Sequence, residues 1–157
     1  MITTKISIKA HLAEYVKGFY KIQESGFVKF PDSDDLYHLI WQVMIKPPAN
    51  INPFDRSGNL TIALPDRRIG KDPQVYNYIS VKAEKIIEKK IRQLFILELH
   101  SVMEDNAYDG FLLTNQDRVS LFMAKYGIES ITEDALLKEY YRWRDRVRKK
   151  EKRQYRK

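Results

Sequence analysis

Apolar and polar residues alternate from the first residues of the chain. Ile2, Thr4, Ile6 and Ile8 fall on one side and Thr3, Lys5 and Ser7 on the other, the period of two that marks a strand. From His11 to Ile22 the period changes. Leu12, Tyr15, Val16, Phe19 and Tyr20 recur at helical spacing, and Ser25 with Gly26 stops the helix. Phe27 to Phe30 reads as a short strand ended by Pro31. Ser33 or Asp34 is placed to cap the next helix, whose apolar face is Leu36, Leu39, Ile40, Val43 and Met44. Pro47 and Pro48 end it. Residues 47–58 form a loop by composition. Leu60, Ile62 and Leu64 alternate with Thr61 and Ala63, giving a third strand that stops at Pro65.

Beyond the polar, turn-like stretch from Asp66 to Pro73, one long helix is predicted from about Asn77 to Asn106. Ile79, Ala83, Ile86, Ile87, Ile91, Leu94, Phe95, Val102 and Met103 recur at three- and four-residue steps. Phe95, Ile96, Leu97 and Leu99 nearly encircle this helix, which marks it as central in the fold or as a contact between two copies. Asp109 and Gly110 are expected to close it. A shorter helix covers 116–126 with Val119, Phe122 and Met123 inward, and Gly127 stands where a C′ glycine belongs. Ser130 and Glu133 have the spacing of a capping box. The last helix runs from about Thr132 into the C-terminal tail.

These elements define an α+β protein. A three-stranded sheet and two helices make up an N-terminal region, residues 1–72. A helical region, residues 73–157, carries the C-terminal extension. The stretch from Pro65 to Pro73 is either a boundary between two units or a surface loop of one continuous domain.

Charge adds what periodicity leaves open. The chain of 157 residues has a net charge of +7. Arg142 to Lys157 hold ten Lys/Arg against two acids, a net of +8, whereas the other 141 residues hold 18 basic and 19 acidic groups. A nearly neutral body thus ends in a concentrated cation, the electrostatic footprint of a polyanion binder. Cysteine is absent, which removes disulfides, thiolate zinc sites and cysteine nucleophiles from consideration. No run approaches the ~20 apolar residues of a membrane span. The N-terminus has no apolar signal core, so the expected location is the cytoplasm.

The last two helices and their glycine turn form a helix-turn-helix candidate. Leu136, Tyr140, Trp143 and Val147 share one stripe of the final helix and are expected to face inward. Lys138, Arg142, Arg146 and Lys149 share another, flanked by Arg144 and Arg148. Lys150, Lys152, Arg153 and Arg156 continue the charge into the tail. Such a helix docks by its apolar side and offers cations to a phosphate backbone or major groove. Recognition helices usually enter the groove by their N-terminal residues, yet Glu133 and Asp134 occupy that end. Contact therefore falls to the middle of the helix or to the tail. Arg67, Arg68 and Lys71 form a second, smaller basic cluster. Tyr140, Tyr141, Trp143 and Tyr155 interleave with the arginines, as in single-strand binders that combine stacking with charge. Tyr140 and Trp143 also fit the core.

Catalytic and metal chemistry find no support. His11, His38 and His100 stand far apart, without partners at metal-ligand spacing. There is no Walker loop and no GxGxxG. Gly58, Gly70 and Gly110 stand alone in turns, and no His precedes an Arg at the spacing a tyrosine recombinase needs. The expectation is a protein with no catalytic residue, no cofactor and no bound metal.

Three segments taken together, Asp35-Leu-Tyr-His-Leu-Ile-Trp41, Gly58-Asn-Leu60 with Leu64-Pro-Asp-Arg-Arg68, and Asp134-Ala-Leu-Leu-Lys-Glu-Tyr-Tyr-Arg-Trp-Arg144, resemble small proteins carried by prophages and mobile elements of Bacteroides-like bacteria. The resemblance implies a mobile-element setting, where small basic helix-turn-helix proteins often regulate transcription or recombination. The expected function is duplex-DNA binding by the final helix and tail, in a possible homodimer joined through Phe95, Ile96, Leu97 and Leu99. The alternative is an assembly protein whose tail meets an acidic protein or RNA.

Overall fold

The computed structural model describes residues 1–105 and 113–156. The helix closure expected at Asp109 and Gly110 lies outside them, as does Lys157. The chain is α+β, with five helices and one two-stranded sheet among the described residues.

The sheet joins β1 (Thr3–Ile6) to β2 (Leu60–Ala63) in antiparallel register, with Thr4 opposite Ile62 and Ile6 opposite Leu60. Thr4, Ile6, Leu60 and Ile62 are buried. The alternation through Ile8 is real in burial, but pairing stops at Ile6. The Asn59 side chain takes over, accepting from the Ile8 N–H at 3.0 Å and donating to the Ile8 carbonyl at 2.6 Å.

The expected third strand, Phe27 to Phe30, is reduced to a single parallel bridge between Val28 and Ile62. Val28 and Phe30 are buried as their alternation requires. The backbone, however, is confined between a turn closed by the Gln23 N–H on the Phe27 carbonyl and Pro31, which has no N–H to extend a ladder. A further bridge pairs Ile45 with Tyr78.

α1 (Ala10–Tyr20) and α2 (Asp35–Val43) follow their apolar stripes: Leu12, Tyr15 and Val16 are buried from the first, Leu36 and Ile40 from the second. Asp34, not Ser33, caps α2, and it also accepts from the Tyr20 hydroxyl at 2.7 Å. α3 (Val81–Met103) is the central helix, capped by Ser80. It starts later than the expected Asn77 because Tyr78 pairs with Ile45. Ala83, Ile87, Ile91, Phe95, Leu99 and Met103 form its buried stripe.

α4 (Asn115–Tyr126) opens with a capping box between Thr114 and Asp117 and closes at Gly127, whose φ of 64° is left-handed. The Ile128 N–H bonds back to the Met123 carbonyl, the satisfied C-terminus that glycine permits. α5 (Glu133–Tyr155) completes the chain.

Tyr15, Phe95, Phe122 and Tyr126 pack ring on ring where α1, α3 and α4 meet, with centroids 5.1 to 6.4 Å apart. Glu98 closes this cluster by accepting from the hydroxyls of Tyr15 and Tyr126. One buried apolar cluster runs from Ile6 to Tyr140, drawing on residues before and after the Pro65–Pro73 stretch alike.

Candidate nucleic-acid interface

The N-terminus of α5 is fixed from two sides. Thr132 caps it, accepting from the Ala135 N–H at 3.1 Å. The expected box at Ser130 is not formed, because the N–H groups of Glu129 and Ser130 are both taken, at 2.9 Å each, by the carboxylate of Glu14 on α1. Burial pushes the Glu14 carboxyl up, but its hydrogen bonds with Ser130 and Glu129 outweigh this and leave it below its ordinary value. Glu133 accepts from Ser120 on α4 at 2.6 Å, and Asp134 pairs with Lys138 at 3.1 Å. Glu133 is thus turned to its own domain, whereas Asp134 and Lys138 form an exposed pair along α5.

Leu136 and Tyr140 are buried, and the Tyr140 hydroxyl donates to Glu104 at the end of α3. Half-buried Trp143 stacks on His100 with centroids 4.3 Å apart and planes at 27°. There the inward stripe ends. Val147, expected to continue it, is 36% exposed, without a buried apolar neighbour further along α5. Every residue from Asp145 to Arg156 is exposed. The eleven of these that are helical, Asp145 to Tyr155, extend ~16 Å.

The proposed cations fall into two groups. Lys138 is held by Asp134, and Arg144 lies over the rings of Tyr141 and Tyr140, at 4.8 and 5.6 Å. Arg67 lies over Trp41 at 4.5 Å and bonds His38, while Lys71 donates to the carbonyls of Trp41 and Gln42 at the end of α2. Of the smaller cluster only Arg68 stands exposed. Arg142, Arg146, Arg148, Lys149, Lys150, Lys152, Arg153 and Arg156 are exposed, and none pairs with a carboxylate among the described residues.

Two neighbouring recesses lie where α5 crosses α3. One, of about 480 Å³, is lined by Arg92, Glu139, Arg142, Asp145, Arg146 and Lys149. The other, of about 500 Å³, shares Arg92, Glu139 and Arg146 with it and has Ile96, Leu97, His100 and Trp143 in its wall. Lys89 and Arg92 escaped the reading of the sequence. They sit among Lys82, Lys85, Glu88 and Lys90, a composition that looks like any solvated helix face. The four residues expected to form a dimer contact separate: Phe95 and Leu99 are buried, Ile96 is half-buried, and Leu97 is 69% exposed.

Burial holds the His100 imidazole below its ordinary pKa; Glu139 and Glu104 oppose this and Arg146 adds to it. The surface here is therefore cationic through its arginines and lysines, and burial disfavours a charge on the His100 ring beneath the indole. Among the described residues no group of three or more His, Asp or Glu is placed to hold a metal ion, and no helix is long and apolar enough to cross a membrane. The chain matches no protein-family model, no curated protein and no solved structure.

Proposed function

We propose that this protein binds duplex DNA through α5 and its basic extension, and that it serves as a regulator of a phage or mobile element. The observation that carries the DNA reading is the run from Asp145 to Arg156, exposed throughout and helical to Tyr155, with seven Lys/Arg and none paired to a carboxylate among the described residues. Unpaired cations on an ordered helix neutralise backbone phosphates and release counterions on contact. The acidic start of α5 is engaged with α4 and with Lys138, which leaves the middle and end of the helix to meet DNA.

The test is duplex binding against salt. With about seven phosphates neutralised, log K falls with log salt at a slope of about −6. Absence of duplex affinity at ~50 mM salt overturns the proposal and favours an acidic protein or RNA as the tail's partner. Selection from a random duplex pool decides the regulatory part: enrichment of a defined site supports a regulator, and a pool that stays random leaves a backbone binder.

A further inference from the structure

The two recesses between α3 and α5 differ in character, and the difference is informative. The first is a shelf of cations: Arg92, Arg142, Arg146 and Lys149 outnumber Glu139 and Asp145. The second adds Lys89 at its rim and an apolar floor of Ile96, Leu97 and Trp143. Arg92 and Arg146 line both. No cation of either recess pairs with a carboxylate among the described residues. His100 lies in the same wall, 7% exposed, and its Nε2 has no hydrogen-bond partner among the described residues. A buried polar atom left unpaired is costly and calls for an account.

A paired base in a duplex has both faces covered by its neighbours, so a duplex presents phosphates to this shelf and nothing to the floor beside it. An unpaired nucleotide presents both a phosphate and a free aromatic face. Sites that hold single strands combine these two features, a cationic track and aromatic rings on which bases stack, and here Trp143 supplies the ring with Leu97 and Ile96 as apolar surface beside it. The volume suits one such unit, falling within the ~300–1,000 Å³ of small-ligand sites. The track is also continuous, since Arg146 and Lys149 lead directly into the exposed extension of α5.

We propose that the groove between α3 and α5 seats an unpaired nucleotide of the bound DNA, with its phosphate among Arg92, Arg142 and Arg146 and its base against Leu97 and Trp143. This rests on the reading of the protein as a DNA binder and makes it a reader of single-strand–duplex junctions. Lys89, Arg92 and Leu97 become binding residues outside α5.

The test uses the full chain and two labelled probes followed by fluorescence anisotropy, a blunt duplex and the same duplex with a four-nucleotide dT overhang. The overhang tightens binding about tenfold, the weight of one stacked base. Leu97→Gln abolishes that preference and leaves blunt-duplex affinity unchanged; Arg92→Ala also reduces the preference. Both side chains are exposed, and circular dichroism verifies that the variants fold. Equal affinity for the two probes overturns the inference while leaving duplex binding intact, as does a preference that survives both substitutions. An acidic peptide that displaces the overhang probe as well as oligo-dT does also overturns it. Failure to bind either probe removes the DNA reading itself.

Discussion

Gly18 on α1 lies so close to Tyr126 on α4 that a Cβ at position 18 would stand 2.4 Å from the Tyr126 carbonyl oxygen and 2.7 Å from its Cα. The obstacle is backbone, which cannot rotate aside as a side chain can. Gly18→Ala therefore separates two helices of the core, although alanine is the better helix former. The expected loss is ~1–3 kcal/mol, the usual cost of overpacking. Urea denaturation checks it; an unchanged midpoint would mean that α1 and α4 do not meet so closely.

Glu14 governs how α5 leaves the body, because it takes both N–H groups of the preceding turn. Glu14→Ala leaves these groups to solvent and lowers stability by about 1 kcal/mol, toward the low end for bonds to a charged group because the site is partly exposed. Glu14→Gln recovers part of the loss. Amide exchange at Glu129 and Ser130 speeds up in both variants, which distinguishes this local role from general destabilisation.

Arg142 and Arg146 lie in the groove between α3 and α5, whereas Lys150, Lys152, Arg153 and Arg156 project beyond the body. If α5 reads bases, Arg142→Ala or Arg146→Ala costs ~1–3 kcal/mol on the preferred site and relaxes its sequence preference. Neutralising the four distal cations weakens binding to every duplex alike and flattens the salt slope by about one unit per charge. Should the two arginine variants keep full preference while tail truncation abolishes binding, DNA is gripped by backbone alone.

Acid weakens the fold in two windows. Burial holds His11 and His100 below their ordinary pKa of 6.5, with Lys9 and Arg92 adding to the effect at His11 and Glu14 and Glu88 opposing it. The unfolded chain takes up protons near 6.5 that the folded chain refuses, so stability declines as pH falls through that value and levels off below the folded pKa values. The Glu14 carboxyl is shifted in the same direction, here because its hydrogen bonds with Ser130 and Glu129 outweigh the opposing effect of burial. Its contribution is present above the ordinary carboxylate range and is lost as pH falls through its depressed value. Urea midpoints measured between pH 8 and pH 3 show the two declines. His100→Gln shrinks the first and leaves the second. A flat profile from pH 8 to 5 would contradict the burial of both imidazoles.

The helices were legible because their apolar residues recur over many turns, and the basic end was legible because charge needs no partner to be counted. Elements decided by distant residues were not. Phe27 to Phe30 has a strand's alternation and buries it, yet Pro31 and the preceding turn leave one bridge of the ladder. Ser130 and Thr132 are equally good caps locally, and Glu14, 116 residues from Ser130 in sequence, selects Thr132 by occupying the Ser130 N–H. Arg67 and Lys71 read as a basic cluster in sequence, whereas in the fold both lie over the ring of Trp41. Lys89, Arg92 and Leu97 acquire meaning only from the helix that crosses them, and a single sequence does not say which helix that is.

Among the described residues no ion pair ties the exposed extension of α5 to the body, so its orientation follows from the phase of its own helix after Trp143. A single alanine inserted between Trp143 and Arg144 would advance everything beyond it by ~100° and ~1.5 Å, with composition and net charge intact. A partner that senses only total charge would not register the change. A partner seated in the groove as well would find its two footholds facing different ways. The angular setting of one turn of helix thus separates a tether, indifferent to rotation, from a tool with a defined working edge.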